Sequence, residues 1–293
     1  MAQLPWQLEH RALIVAAATP LRDGGGQVDE PAIWPMVRFL TDHGADGVFA
    51  LGTTGEGVLL SLAERQRAAV TFRAALRGLL IVHCGAQTTN DTVALATHAA
   101  EIGADGVAVI PPPYYPLDPD ALTAHFLLAA AACSPLPFFI YAFAVRSGYP
   151  VPIEVVQRVR ERADNLAGLK VSESPLRRVQ PYLRLGLPVL VGFEPLIPAA
   201  LRHGAAGTVS GLAAAFPDVV RASLDEPDTA AEERLQALRA AMEAQPFIAA
   251  VKHVLARRGV PVQPDMRSPL RPLANDEARR LGEVLHHLAA VPA

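Results

Sequence analysis

The chain alternates between short, wholly apolar runs and longer stretches in which apolar residues recur every three or four positions. The runs are ALIVAAATP (12–20), GVFALGTTG (47–55), LLIVHCGAQ (79–87), GVAVIPP (106–112), FFIYAF (138–143), LAGLKVS (166–172), PVLVGFE (188–194) and GTVSG (207–211). None shows the in–out alternation of a half-exposed strand, so each reads as a parallel strand covered on both faces. The stretches between them read as helices. SLAERQRAAVTFRAALRG (61–78) opens with a capping box, Ser61 and Glu64, and is expected to run to Gly78. A second helix is expected to start after Asp118 as N-cap, with Pro119 at its first position.

An internal echo supports this order. HGADGVFAL (43–51), IGADGVAVI (102–110) and HGAAGTVSG (203–211) each read as a helix ending in glycine, a tight turn and a strand. Eight strand–helix units predict an α/β fold, a (β/α)8 barrel, with an open doubly wound sheet as the competitor. Beyond about residue 225 the strand pattern stops. EERLQALRAAMEAQPFIAAVKHVLARRG and NDEARRLGEVLHHLAAV (275–291) read as helices. The expected organisation is a barrel over 1–224 and a C-terminal helical extension over 225–293.

Composition narrows the partners. Apolar residues make up 51% of the chain and the formal net charge is −3, so no basic field for nucleic acid is present. The uncharged stretch 126–145 is cut by Pro135 and Pro137 into a helix end and a new strand, so no membrane span is expected. Cys84 and Cys133 stand far apart without metal-ligand spacing, which fits a reducing cytoplasm and no disulfide framework.

Chemistry is sought where such barrels carry it, at the C-terminal ends of the strands. The polar residues there include Thr53, Thr54 and Glu56, Tyr114 and Tyr115, Tyr141 and Arg146, Lys170 and Ser172, Glu194 and Ser210. Lys170 stands out. It is one of only two lysines in a chain that otherwise uses arginine, and it sits between Leu169 and Val171 in an apolar run. Burial disfavours the ammonium form, and a neutral amine is a nucleophile for a ketone. Pairing with Glu173 or Glu194, or a strand that ends early and leaves the side chain in water, would make it inert. Lys252 lies in a helical pattern and reads as structural. GTTGEG (52–57) lacks the Lys-Ser/Thr ending of a nucleotide loop, but its amides and hydroxyls suit a carboxylate.

With GTTGEG, PPPYY, IYAFAVRSG and GLKVSES in this order and spacing, the chain resembles the dihydrodipicolinate synthase/N-acetylneuraminate lyase family of Schiff-base aldolases. The resemblance implies an imine between Lys170 and pyruvate, with no cofactor and no metal. It implies a proton relay through Tyr141 and Thr53, joined by Tyr115 in a neighbouring subunit. Thr54, with Gly52 and Gly55 beside it, would cradle the pyruvate carboxylate. Arg146 would bind a carboxylate of the second substrate, and Glu194 and Ser210 are further candidates on the substrate side. It also implies a homotetramer built as a dimer of dimers. The reaction expected is condensation of pyruvate with an aldehyde, as in dihydrodipicolinate synthase. The alternatives are a 2-keto-3-deoxy sugar acid aldolase or dehydratase, an N-acetylneuraminate lyase-like enzyme, or a barrel that binds a 2-oxo acid without turnover. Ala142, Phe143 and Ala144 depart from the Asn–hydrophobic–Pro sequence usual after the strand-five tyrosine, and the PLDPDAL loop after Tyr115 is also unusual. Both departures fall where the second substrate would lie.

Overall fold

A computed structural model describes residues 11–288. The eight expected strands are all present: β1 (Ala12–Ala16), β2 (Gly47–Ala50), β3 (Leu79–His83), β4 (Gly106–Val109), β5 (Phe138–Ala142), β6 (Leu166–Val171), β7 (Val189–Val191) and β8 (Gly207–Ser210). Each pairs in parallel with the next, and β8 closes on β1 through Ala12↔Gly207 to Val15↔Ser210. The closed parallel barrel excludes the open sheet.

The three echoed segments do the same job in each place. Gly44, Gly103 and Gly204 end their helices with φ of 93°, 71° and 92°, a conformation that costs glycine little. In the first two copies an aspartate follows and accepts from the first amides of a neighbouring strand. Asp46 takes Leu13 N at 2.7 Å and Asp105 takes Leu80 N at 2.8 Å. Ala206 stands at that position in the third copy, which has no such clamp.

Helix α2 (Leu62–Ala75) has the expected capping box, and α4 (Pro119–Cys133) is capped by Asp118, which accepts from Ala121 N at 2.8 Å. Helix α2 stops at Ala75, short of Gly78, because Leu76 leaves the helix in an extended conformation and buries its side chain. One feature was not expected. Leu21–Arg22 and Gln27–Val28 pair as a two-residue antiparallel ribbon around the glycine-rich turn.

After β8 come α9 (Pro217–Asp225), α10 (Thr229–Glu243), α11 (Phe247–Arg257) and α12 (Asn275–His287). Residues 289–291 of the expected last helix lie outside the described residues. The extension packs back onto the barrel: α10 and α11 send Arg239, Phe247 and Ala249 into the wall of the cavity described below. Among the described residues no helix is long and apolar enough to cross a membrane.

The phase of β6 decides where the chemistry can occur. Ala167 packs with the barrel interior while Leu166, Leu169 and Val171 pack outward. Strict alternation from Ala167 would turn Lys170 outward. The pairing with β5 slips at this point, Phe138 facing Leu166 but Phe139 facing Gly168, so one extra residue is absorbed as a bulge. Gly168 permits it, since a Cβ there would lie 2.6 Å from Pro188 O and 3.1 Å from the Phe139 ring. The slip flips the phase, and Lys170 faces inward beside Tyr141.

Candidate active site

Lys170 ends up 4% exposed, over two aromatic faces. Its Nζ is 3.8 Å from the Tyr141 ring centroid and 4.2 Å from that of Phe49. Among the described residues no carboxylate lies within ion-pair distance of it. Glu173 accepts from Ala144 N at 2.7 Å instead. Glu194 accepts from Ser210 Oγ and Leu212 N, both at 2.8 Å, and from Arg239 at 2.7 Å. Both inert readings of the lysine, paired or solvated, are thereby removed. Burial lowers its pKa, opposed by Tyr141 and more distantly by Glu194. Burial thus shifts the group towards the neutral amine.

Tyr141 is 1% exposed and packed edge-on against Phe49 and His83. Its hydroxyl lies 3.4 Å from Thr53 Oγ1, a long contact of the kind that shortens when a ligand draws the groups together. Thr53 is held by an unusual turn. Leu51 and Glu56, neither of them glycine, adopt left-handed φ of 61° and 55° on either side of it. Gly57 makes the turn possible: its amide donates to Gly52 O at 3.2 Å, and a Cβ would sit 1.8 Å from Leu51 O.

Two buried groups lock this turn from outside. His83 Nδ1 lies 3.2 Å from Leu51 O. Burial first, then the charges of Arg65 and Lys170, hold the imidazole pKa well below its ordinary value. A neutral ring donating to Leu51 O follows. Glu56 is the second lock: it accepts from Arg267 N at 2.8 Å and lies 2.6 Å from Lys252 Nζ, with both side chains at 0% exposure. Lys252 also donates to Asp265 O at 2.7 Å. The second lysine of the chain is thus a strut between α11 and the turn that carries Thr53.

Lys170, Tyr141, Thr53, Thr54 and Arg146 line one cavity of about 770 Å³ at the C-terminal ends of the strands. Other expected residues lie elsewhere. Gly52 and Gly55 stand behind the turn, where Gly52 packs under the Phe49 ring and Gly55 O accepts from Thr19 Oγ1 at 2.7 Å. Glu194 and Ser210 are fully buried and spend their polar atoms on each other, on backbone and on Arg239; neither lines the cavity. Tyr115 is 73% exposed, stacked edge-on against Tyr114 at 4.8 Å, and does not line its own chain's cavity. His83, Arg239 and Phe247 line the cavity without having been expected there. His83 was legible in principle, because it lies two positions beyond inward-facing Ile81. Arg239 and Phe247 carried no local signal, since only the docking of the extension brings them to the strand ends.

A buried amine over a tyrosine, at the mouth of a closed parallel barrel, suits a lyase of the class I aldolase type. The comparisons agree. A profile of the Dihydrodipicolinate synthetase family matches residues 9–288, and the chain belongs to that family. It is 35% identical over 274 residues, 88% of each chain, to an uncharacterized DapA-like lyase of Halobacterium salinarum. To the 4-hydroxy-tetrahydrodipicolinate synthase of Syntrophus aciditrophicus it is 28% identical over 293 residues, 96% of this chain and 99% of the other. Among solved structures, the N-acetylneuraminate lyase of Proteus mirabilis superposes with a TM-score of 0.88 at 26% identity, covering 96% of this chain and 99% of that one.

Proposed function

We propose that Lys170 forms an imine with pyruvate or a related 2-oxo acid, and that the enzyme joins the resulting enamine to an aldehyde, as 4-hydroxy-tetrahydrodipicolinate synthase does. The observation that carries this reading is a desolvated amine stacked on Tyr141, with no carboxylate of the described residues at ion-pair distance. Arginine could not serve at this position, because a guanidinium stays protonated at any working pH.

The residues divide the work as follows. The amine adds to the keto carbon, and Tyr141, coupled to Thr53, passes a proton to the departing hydroxyl so that water leaves. The iminium withdraws electrons from the methyl carbon, and a methyl proton passes to the Tyr141 oxygen that gave up its own proton in the dehydration, leaving the enamine. Thr54 and the adjoining backbone hold the carboxylate, and Arg146 lines the acceptor side of the cavity beside Phe143. Run in reverse, the same groups cleave a carbon–carbon bond. A sugar-acid substrate would call for a free acid to bind its hydroxyls, and the oxygens of Glu194 at the end of β7 are already taken by Ser210, Leu212 N and Arg239. We further propose a cytoplasmic homotetramer in which exposed Tyr115 reaches a neighbouring relay, with small-molecule substrates, no nucleic acid or membrane partner, and no cofactor beyond the imine.

Exchange of the pyruvate methyl protons in D2O, followed by NMR, tests the enamine directly and needs no aldehyde. Wild-type protein should catalyse it and Lys170→Arg should not. A Lys170→Arg protein that kept the exchange rate would refute the reading.

A further inference from the structure

The cavity changes character with depth. Its floor is polar: Lys170, Thr54, His83 and Ser172 line it and each is less than one-tenth exposed. Its upper wall is Phe143, Phe193, Phe247, Val58, Val145 and Leu270. Three of these are open to solvent, Val145 at 74%, Val58 at 64% and Leu270 at 39%. A group of large apolar side chains exposed around a concave site marks a surface meant to be covered by a ligand or partner.

The charged groups at the same level are mostly committed. Arg239 donates to Glu194 at 2.7 Å and to Glu243 at 2.6 Å, and its guanidinium lies over the Phe247 ring at 4.3 Å. Arg271 donates to both carboxylate oxygens of Glu277, at 2.7 and 2.8 Å. Arg146 has no carboxylate within ion-pair distance among the described residues and rests 5.8 Å from the Phe143 ring centroid. A ligand rich in hydroxyls would surrender its water hydrogen bonds here and find few open partners in return.

We infer that the aldehyde this enzyme accepts, or releases in the reverse direction, has an apolar aryl or branched-alkyl body. The inference rests on the imine reading above and narrows its second substrate. In the step itself, the enamine carbon forms a bond to the aldehyde carbon. The carbonyl π pair moves to oxygen, which takes a proton. Water then hydrolyses the iminium, freeing the Lys170 amine and a 4-hydroxy-2-oxo acid. The apolar body lies against Phe143 and Phe247 while the reacting carbon stays at the polar floor.

The test begins with the methyl-proton exchange of pyruvate, which reports the enamine alone. Absence of exchange would defeat the imine reading, and this inference with it. With exchange in hand, kcat/KM is measured for benzaldehyde and 3-methylbutanal against glyceraldehyde and aspartate semialdehyde. The apolar pair should lead by about tenfold or more, the discrimination expected of one or two good hydrophobic contacts. Phe143→Asn, or Val145→Ser at a position exposed enough to tolerate it, should narrow that ratio several-fold. A preference for either polar aldehyde, exchange without turnover of an apolar one, or a ratio unmoved in both variants would overturn the inference.

Discussion

Lys252 offers a sharp test of how the extension supports the site. Its ammonium lies 2.6 Å from Glu56, both side chains are wholly buried, and Glu56 sits in the strained turn that carries Thr53. At an effective dielectric of about 20, a pair this close attracts by roughly 6 kcal/mol, most of it offset by the desolvation of two ions. The net worth of the pair is therefore small, but the cost of breaking it from one side is not. Lys252→Met leaves a buried carboxylate without its counter-charge, a change that costs about 3–5 kcal/mol. Combined with Glu56→Gln, which can still accept from Arg267 N, most of that loss should be recovered. Urea unfolding followed by circular dichroism on wild type, both single variants and the double variant measures the coupling. A Lys252→Met protein within about 0.5 kcal/mol of wild type, the range of ordinary surface changes, would refute the reasoning. A double variant as unstable as the single would refute it equally.

Other consequences follow from the same geometry. Tyr141→Phe removes the hydroxyl facing Thr53 and should lower kcat by about 10²–10⁴ while the protein stays folded, as steady-state kinetics would show. Gly192→Ala would place a Cβ 1.9 Å from Ser172 Oγ beside the cavity floor, so a loss of thermal stability together with slower pyruvate exchange is expected. His125, bonded to Thr89 Oγ1 at 3.0 Å, is held by burial at about 4, down from an ordinary 6.5. Because the unfolded chain binds the extra proton first, this histidine's contribution is whole above pH 6.5 and is lost as the pH falls towards 4. At about 1.4 kcal/mol per unit, the loss is about 3 kcal/mol, and His125→Gln should flatten a Tm-against-pH curve over that window.

The fold was legible because parallel strands and their helices leave local marks. Continuous apolar runs, Ser61 and Asp118 as caps, and glycine at 44, 103 and 204 each express a constraint that acts within a few residues. The amine was legible for the same reason, as a lone lysine in an apolar run. Its inward orientation was not, because that depends on a bulge set by Gly168 against Phe139 and Pro188 from two neighbouring strands. Glu194 shows the converse. At a strand end it reads as a ligand, yet Arg239, 45 residues later, claims it in the folded protein. The short ribbon at 21–28 escaped because two-residue strands carry no periodicity.

The central claim is that Lys170 is a nucleophilic amine. Incubating the protein with pyruvate and borohydride, then locating the modified peptide by mass spectrometry, tests it most directly. A reduced pyruvyl adduct on Lys170, absent from Lys170→Arg, is the predicted result. An unmodified Lys170 in folded protein, or an adduct on Lys252 alone, would contradict the account.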